Sequence, residues 1–126
     1  MKIVTCAIFR QKDKILIARR KKGEKHEGFW EFPGGKLNQN ETPEECLKRE
    51  LEEEFSISAD IGEFFVDSLY EYDYGRILLK AYFIDDYSGD FKLSVHDKIV
   101  WEKPENVKKF QLLPADIPIL NLLIDF

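Results

Sequence analysis

The sequence predicts a single domain of mixed α/β (α+β) class, in which helices pack on a mixed β-sheet. Three observations favour this fold class. Strand-like apolar segments outnumber helical ones, they lie on both sides of one strongly helical segment, and 126 residues with 44% hydrophobic side chains suffice for a core. No linker or internal repeat divides the chain, so a single domain is expected over residues 1–126.

The first half of the chain predicts a hairpin, a loop and a helix. The segment KIVTCAIFR is β-branched and apolar, and ILIARR follows it after the polar turn QKDK, which is typical of a β-hairpin. The charged loop RRKKGEKHEG then leads to the short apolar piece FWEFPGG. Thr42 with Glu45 forms a capping box, and Pro43 suits the first helical position, so a helix is expected from here to about residue 55.

The second half alternates between strand and turn signals. IGEFFVDSLYEYD and RILLKAYFIDD are strand candidates joined by a turn at Tyr74-Gly75, and a loop with Ser88-Gly89-Asp90 then leads to FKLSVHDKIVW. Pro104 starts a short helix. The segment PADIPILNLLIDF predicts a closing helix, for which Asp116 is a suitable N-cap.

Composition and charge argue against several classes of protein. The net charge of −5 does not suit a nucleic-acid polymer as partner, because such binding uses a basic surface. No apolar run approaches the roughly 20 residues of a membrane span, so no membrane partner is expected, and the N-terminus lacks the features of a signal peptide. Cys6 and Cys46 have no metal-type spacing, which favours reduced thiols in a cytoplasmic protein.

The predicted helix carries four glutamates within residues 50–54, although like charges so close repel one another. At about 100° per residue, Glu50, Glu53 and Glu54 share an arc with the apolar side chains. The solvent-facing arc holds Glu45, Lys48, Arg49 and Glu52. Carboxylates beside a buried face are costly unless a cation neutralises them, and oxygen-rich clusters suit Mg²⁺ or Mn²⁺. A divalent-metal site is therefore predicted, with an ordinary solvated helix face as the alternative.

The segment GGKLNQNETPEECLKRELEEEFSI resembles the Nudix box. The positions that match its spacing are Gly35, Glu41, Arg49, Glu50, Leu51, Glu53, Glu54 and Ile57. Ser56 stands where the family has glycine, at a helix end where a left-handed non-glycine residue costs about 1–2 kcal/mol. ILIARRKKGEKHEGFWEFPGGK and LPADIPIL also resemble the MutT-like, CTP pyrophosphohydrolase-like branch. The resemblance implies the Nudix fold, a mixed sheet sandwiched between α-helices.

The resemblance further implies a hydrolase that uses Mg²⁺ or Mn²⁺ to cleave a nucleoside triphosphate or a related nucleoside diphosphate derivative. Glu50, Glu53 and Glu54 would hold the metal with a carbonyl of Gly34 nearby, and Arg49 would orient the carboxylates. For this branch the products would be a nucleoside monophosphate and pyrophosphate. The leading prediction includes oxidised nucleotides such as 8-oxo-dGTP as substrates. The alternatives are a CTP- or dCTP-type or other Nudix pyrophosphatase, and a Nudix-fold module that binds nucleotides without cleaving them.

Five residues match substrate-binding positions of the family, each with an ordinary structural role as the alternative. They are Arg20, Glu31, Phe32, Lys36 and Asp116. Asp97 would be a further metal-binding acid, but it lies closer to Trp101 than the family's glutamate does, so an ordinary loop position is equally open. His26 and His96 are expected in loops, and the chain is expected to be a monomer or a homodimer.

Overall fold

The computed structural model describes residues 1–126 and contains nine strands and three helices. The strands are β1 (Lys2–Gln11), β2 (Lys14–Arg20), β3 (Trp30–Glu31), β4 (Gly34–Lys36), β5 (Ser58–Asp60), β6 (Phe64–Tyr72), β7 (Gly75–Ile84), β8 (Asp86–Ser88) and β9 (His96–Glu102). The helices are α1 (Pro43–Phe55), α2 (Pro104–Val107) and α3 (Ile117–Asp125), and a 3₁₀ turn at Pro114–Asp116 precedes α3. None of these helices has the length and apolar character that crossing a membrane requires.

The sheet divides where β1 and β2 separate. These strands pair only beside their hairpin turn, at Arg10↔Ile15 and Gln11↔Lys14. Beyond that point β1 lies between β4, which is antiparallel to it, and β7, which is parallel to it, with β6 outside β7. The strand β2 instead pairs with β3 and β9, both antiparallel. The separation leaves an opening between the two halves of the sheet, while β5 and β8 form a small ribbon of their own.

The two faces of the sheet belong to two separate cores, because successive side chains of a strand point to opposite faces. On one face Ile8 belongs to the core that α3 covers with Ile119. On the other face Phe9 packs in the core that α1 covers with Leu51 and Phe55. The sheet therefore lies between helices, and the predicted fold class is confirmed.

Helix α1 begins as the sequence predicts. Thr42 Oγ1 accepts the Glu45 N–H at 3.1 Å, and Glu45 Oε1 accepts the Thr42 N–H at 2.8 Å, which completes the capping box. The helix ends at Phe55, and Ser56 follows in the left-handed conformation with φ 58° and ψ 33°. The position that departs from the Nudix box thus keeps the backbone shape of the glycine.

The N-cap predicted for the closing helix is wrong. Asp116 does not cap α3: its side chain makes no capping hydrogen bond, and its backbone is already helical within the 3₁₀ turn. Its carboxylate has a distant partner instead, described below.

Ser56→Gly should raise the free energy of unfolding by about 1 kcal/mol, because glycine has no Cβ to strain in the left-handed region. The melting temperature, measured by circular dichroism, should rise by about 4 °C. Ser58→Gly is the matched control: Ser58 lies in β5, where glycine weakens a strand. A melting temperature that falls by the same amount in both variants would show that the left-handed position stores no strain.

Candidate active site

Two glycines of β4 bring the sheet against helix α1. Gly34 lies opposite Cys6 of β1, and a Cβ on Gly34 would collide with the backbone of Thr5. A Cβ on Gly35 would collide with the carboxylate of Glu50. Side chains at these two positions would therefore push β4 away from both neighbours. Glycine at position 35 allows Glu50 of α1 to lie directly against the β4 backbone.

Arg49 connects α1 to the loop that follows β4. Its guanidinium makes a two-point contact with Glu41, at 3.1 Å and 2.8 Å, and donates to the backbone carbonyl of Lys36 at 3.1 Å. Its Nη1 donates to Glu50 at 2.9 Å and to Glu53 at 3.2 Å. Hydrogen bonds from Arg49 and from the Asn38 backbone lower the pKa of the Glu41 carboxyl to about 2. The bidentate pair therefore forms with Glu41, and Glu50 and Glu53 each receive one bond.

The three glutamates of the predicted metal site differ in exposure. The side chains of Glu50 and Glu54 are 16% and 14% exposed, whereas that of Glu53 is 59% exposed. Burial, followed by the negative charges of Glu31 and Glu50, raises the pKa of the Glu54 carboxyl to about 9. Glu54 is thus the carboxyl of the segment that most needs a positive charge nearby.

The sequence predicted a loop position for His96, and this prediction is wrong. The residue lies on β9, and its side chain is fully buried. Its Nε2 lies 2.7 Å from Glu31 Oε2, and its Nδ1 lies 3.7 Å from Glu54 Oε2. Glu54 Oε2 and His96 Nδ1 are buried atoms without a hydrogen-bond partner. His96 is the first residue of β9 and pairs with Arg20 of β2, a long-range pairing that the sequence alone does not reveal.

The residues present fit a divalent cation, although the side chains are not gathered around one point. No group of three or more His, Cys, Asp or Glu side chains is placed to share a metal ion, since Glu50 and Glu53 are bound by Arg49. Oε2 of Glu54 is buried and accepts no hydrogen bond. A cation beside it would supply the missing partner and lower the cost of its charge.

A cleft of about 290 Å³ opens where the two halves of the sheet separate. Its walls include all five residues predicted to bind substrate, which are Arg20, Glu31, Phe32, Lys36 and Asp116. Gly34 and Gly35 also line it, so the cleft ends at the backbone against which Glu50 lies. Basic, acidic and aromatic groups thus meet beside the glutamates of α1.

Asp116 ties the turn before α3 to the strand segment at the cleft. Its side chain is buried, and Oδ2 accepts the backbone N–H of Phe32 at 2.9 Å. Burial, and then the charge of Glu31, raises the pKa of the Asp116 carboxyl well above its usual range. With one oxygen bound by the backbone, the second is the atom available to a ligand in the cleft.

Asp97 lies apart from the glutamates. Its carboxylate pairs with Arg19 Nε at 2.7 Å and is 42% exposed, and this contact lowers its pKa. It belongs to no group of three or more His, Cys, Asp or Glu side chains placed to share a metal ion. The structure gives no support to a metal role for Asp97, which stays a prediction.

The cleft also contains aromatic and basic residues that sequence reasoning missed. Tyr72 and Tyr74 are stacked at 5.1 Å with 6° between their planes, and Lys25 lies over the Tyr74 ring at 4.6 Å. The alternation in YEYDY, residues 70–74, was the available signal, since every second side chain of a strand shares a face. Lys2 is a second basic residue of the cleft, besides Lys25, that sequence reasoning missed.

A family model for the NUDIX domain matches residues 1–123. The chain therefore belongs to the NUDIX domain family and is a Nudix hydrolase, as its resemblance to the Nudix box predicted.

Two curated relatives and a solved structure are similar over most of the chain. The CTP pyrophosphohydrolase of Escherichia coli (strain K12) is 39% identical over 119 residues, which are 94% of this chain and 87% of that protein. The 8-oxo-dGTP diphosphatase of Haemophilus influenzae is 31% identical over 111 residues, 88% of this chain and 82% of that protein. The solution structure of the E. coli ORF135 protein has a TM-score of 0.89 and 36% identity, and covers 99% of this chain and 89% of that one.

The raised pKa of Glu54 predicts how stability depends on pH without metal. Between the ordinary value of 4.5 and about 9, the folded state binds more protons than the unfolded state. The free energy of unfolding should therefore fall as pH rises through this window, by at most about 1.4 kcal/mol per pH unit. Glu54→Gln should flatten this fall, measured by urea unfolding in EDTA at pH 5, 7 and 9.

Glu52→Gln is the control for this experiment, because Glu52 is an exposed glutamate of the same helix. It should leave the slope between pH 5 and pH 9 as in the wild type. A Glu54→Gln variant with the wild-type slope would mean that Glu54 ionises in the folded protein as it does in the unfolded chain.

Proposed function

We propose that this Nudix hydrolase is a divalent-metal-dependent nucleoside triphosphate pyrophosphohydrolase that releases a nucleoside monophosphate and pyrophosphate. One observation carries the proposal: a cleft with basic, aromatic and carboxylate walls is lined by Gly35, against which the carboxylate of Glu50 of α1 lies. A nucleoside fits the aromatic part of such a cleft and phosphates fit its basic part. The names of the two curated relatives support this chemistry.

Glu50, Glu53 and Glu54 would hold Mg²⁺ or Mn²⁺, with the carbonyl oxygen of Gly34 nearby. When bound, such an ion neutralises phosphate charge and makes an attacking water more acidic. Arg49 would keep Glu50 and Glu53 on the metal side of the helix. This assignment is supported by the raised pKa of Glu54 and by its unpartnered buried oxygen.

The side chains of the cleft would bind the substrate and move one proton. Arg20 and Lys36 would contact phosphate oxygens, and Glu31 and Phe32 would line the nucleoside pocket. A water oxygen attacks phosphorus, the bond to the oxygen between the α- and β-phosphates breaks, and Oε1 of Glu54, the oxygen that the cation leaves free, would accept the proton of the water. The position of Glu54 on a rigid helix suits this role of general base.

Two substrate classes follow from the relatives, and CTP or dCTP is favoured over an oxidised purine such as 8-oxo-dGTP. The observation that favours the pyrimidine is the higher identity and coverage of the CTP pyrophosphohydrolase. A screen of kcat/KM over ordinary and oxidised triphosphates, with pyrophosphate release as the readout, tests both the class and the base. No release from any triphosphate with Mg²⁺ present would overturn the proposed function.

Hydrolysis in ¹⁸O-labelled water should yield monophosphate and pyrophosphate as the products, with the label in only one of them. Mass spectrometry of the two products identifies the phosphorus that water attacks. The reason is that the cation held by the glutamates would direct water to one phosphorus. Nucleoside diphosphate and phosphate as the main products would contradict a pyrophosphohydrolase.

Glu53→Gln and Glu54→Gln should each reduce kcat by at least about a hundredfold, because a metal ligand or base is lost in each. Mn²⁺ should raise the melting temperature of the wild type, since an ion that binds only the folded state stabilises it. This rise should be much smaller in both variants. The control is Glu52→Gln, an exposed glutamate of the same helix. Full turnover in excess EDTA would show that no metal is used.

Asp116→Ala should reduce the ratio of kcat/KM between the best and the next-best base by about tenfold, equivalent to 1.4 kcal/mol. Asp116→Asn can still accept the Phe32 N–H through its amide oxygen, but it presents a donor in place of the second oxygen. It should therefore keep the melting temperature and change the base preference. If both variants keep the parent's preference and only lose stability, Asp116 holds the backbone and does not select the base.

A further inference from the structure

A buried histidine joins the helix of the glutamates to the wall of the cleft. The His96 side chain is 0% exposed, and its ring stacks on Phe55 of α1 with 5.1 Å between centroids and 12° between planes. Its Nε2 lies 2.7 Å from Oε2 of Glu31, which lines the cleft. The same ring therefore contacts the helix on one side and a substrate-facing carboxylate on the other.

A bulge in β9 places His96 on this face. β9 pairs with β2 residue for residue down to Lys98, passes over Asp97 and resumes at His96. Side chains alternate along a strand, so a regular β9 would put His96 on the face of Val100, which packs toward α3. The additional residue turns His96 to the opposite face, where it meets Phe55. Bulges are over-represented next to active sites, where they redirect a side chain in this way.

The carboxylate of Glu31 is held through a single oxygen. Oε2 accepts a hydrogen bond from Arg20 Nη1 at 3.0 Å and lies 2.7 Å from His96 Nε2. Because Glu31 Oε2 is an acceptor toward Arg20, it is also the acceptor toward the imidazole of His96. The hydrogen of that contact therefore lies on His96 Nε2. Oε1 of Glu31 makes no hydrogen bond within the protein. It is the atom left for a hydrogen-bond donor of a molecule in the cleft.

We propose that His96 is a positioning residue for nucleotide binding, which holds Glu31 so that its Oε1 receives a donor of the nucleoside, a sugar hydroxyl or a base amino group. This inference rests on the proposed function, because that function makes the cleft a nucleotide site. Phe55 supplies the rigid support, since it is fully buried in the core under α1. The position of Glu31 is thus fixed by packing on a helix rather than by a surface contact.

Calorimetric binding of CMP and of 8-oxo-dGMP, without metal, tests the inference apart from turnover. In His96→Gln the amide occupies the place of Nε2 and keeps a donor for Glu31, so the affinity should stay within about threefold of the wild type. In His96→Asn the shorter side chain cannot reach Glu31, so the affinity should fall by at least about tenfold. In turnover, His96→Asn should raise KM and change kcat by less than about threefold.

A double-mutant cycle decides whether His96 acts through Glu31. In a Glu31→Gln background, His96→Asn should cost less than about twofold, because residues that act together are not additive. Equal losses in both backgrounds would overturn the inference, and so would equal losses in His96→Gln and His96→Asn. Ile99→Val, on the same strand and against the core under α1, should lower the melting temperature and leave the affinity unchanged. A loss of affinity in Ile99→Val as large as in His96→Asn would show an effect of stability alone.

The same measurements separate this inference from the proposed function. A wild-type protein that binds a monophosphate but releases no pyrophosphate from any triphosphate would overturn the proposed function and leave the role of His96 intact. A wild-type protein that binds neither monophosphate but releases pyrophosphate would overturn the role of His96 and leave the proposed function intact.

Discussion

The guanidinium of Arg49 is the contact on which the arrangement of the site depends. It binds Glu41 through two hydrogen bonds, the Lys36 carbonyl through a third, and Glu50 and Glu53 through Nη1. One side chain therefore joins the loop after β4 to the acidic face of α1 and offsets the repulsion among its carboxylates. The flat, forked donor set of arginine is needed for this, because a lysine ammonium cannot bind a carboxylate in two places and reach further acceptors.

The charge of the site follows from this contact. Arg49 satisfies Glu41, and it reaches Glu50 and Glu53, but it does not reach Glu54. Glu54 is left with a buried oxygen that has no partner, beside the charges of Glu31 and Glu50. The imbalance lies at the end of α1 nearest the cleft wall, where an incoming cation and a triphosphate would each compensate the charge of the other.

The sequence predicted the elements whose causes are local. The capping box of Thr42 and Glu45 lies within four residues, and the spacing of Glu50, Glu53 and Glu54 follows from helix geometry alone. The features it missed depend on long-range register. Asp116 accepts the hydrogen bond of the Phe32 N–H, and the two residues are 84 positions apart in the sequence. His96 turns toward α1 because of a bulge that the sequence of β9 does not predict. Residues whose partners lie on other strands therefore needed the structure, although the resemblance to the MutT-like branch had already predicted substrate-binding roles for Asp116 and Glu31.

When a cation binds Glu50, Glu53 and Glu54, we expect the pair between Arg49 and Glu41 to stay in place and to hold the helix against the loop after β4. The most direct measurement is a crystal structure of the protein grown with Mn²⁺, in which anomalous scattering locates the ion. We predict Mn²⁺ in contact with Glu50, Glu53 and Glu54 beside the Gly34 backbone, with both bonds from Arg49 to Glu41 intact. Mn²⁺ bound away from Glu50 and Glu54, or a site that forms only when the Arg49–Glu41 pair breaks, would contradict the claim.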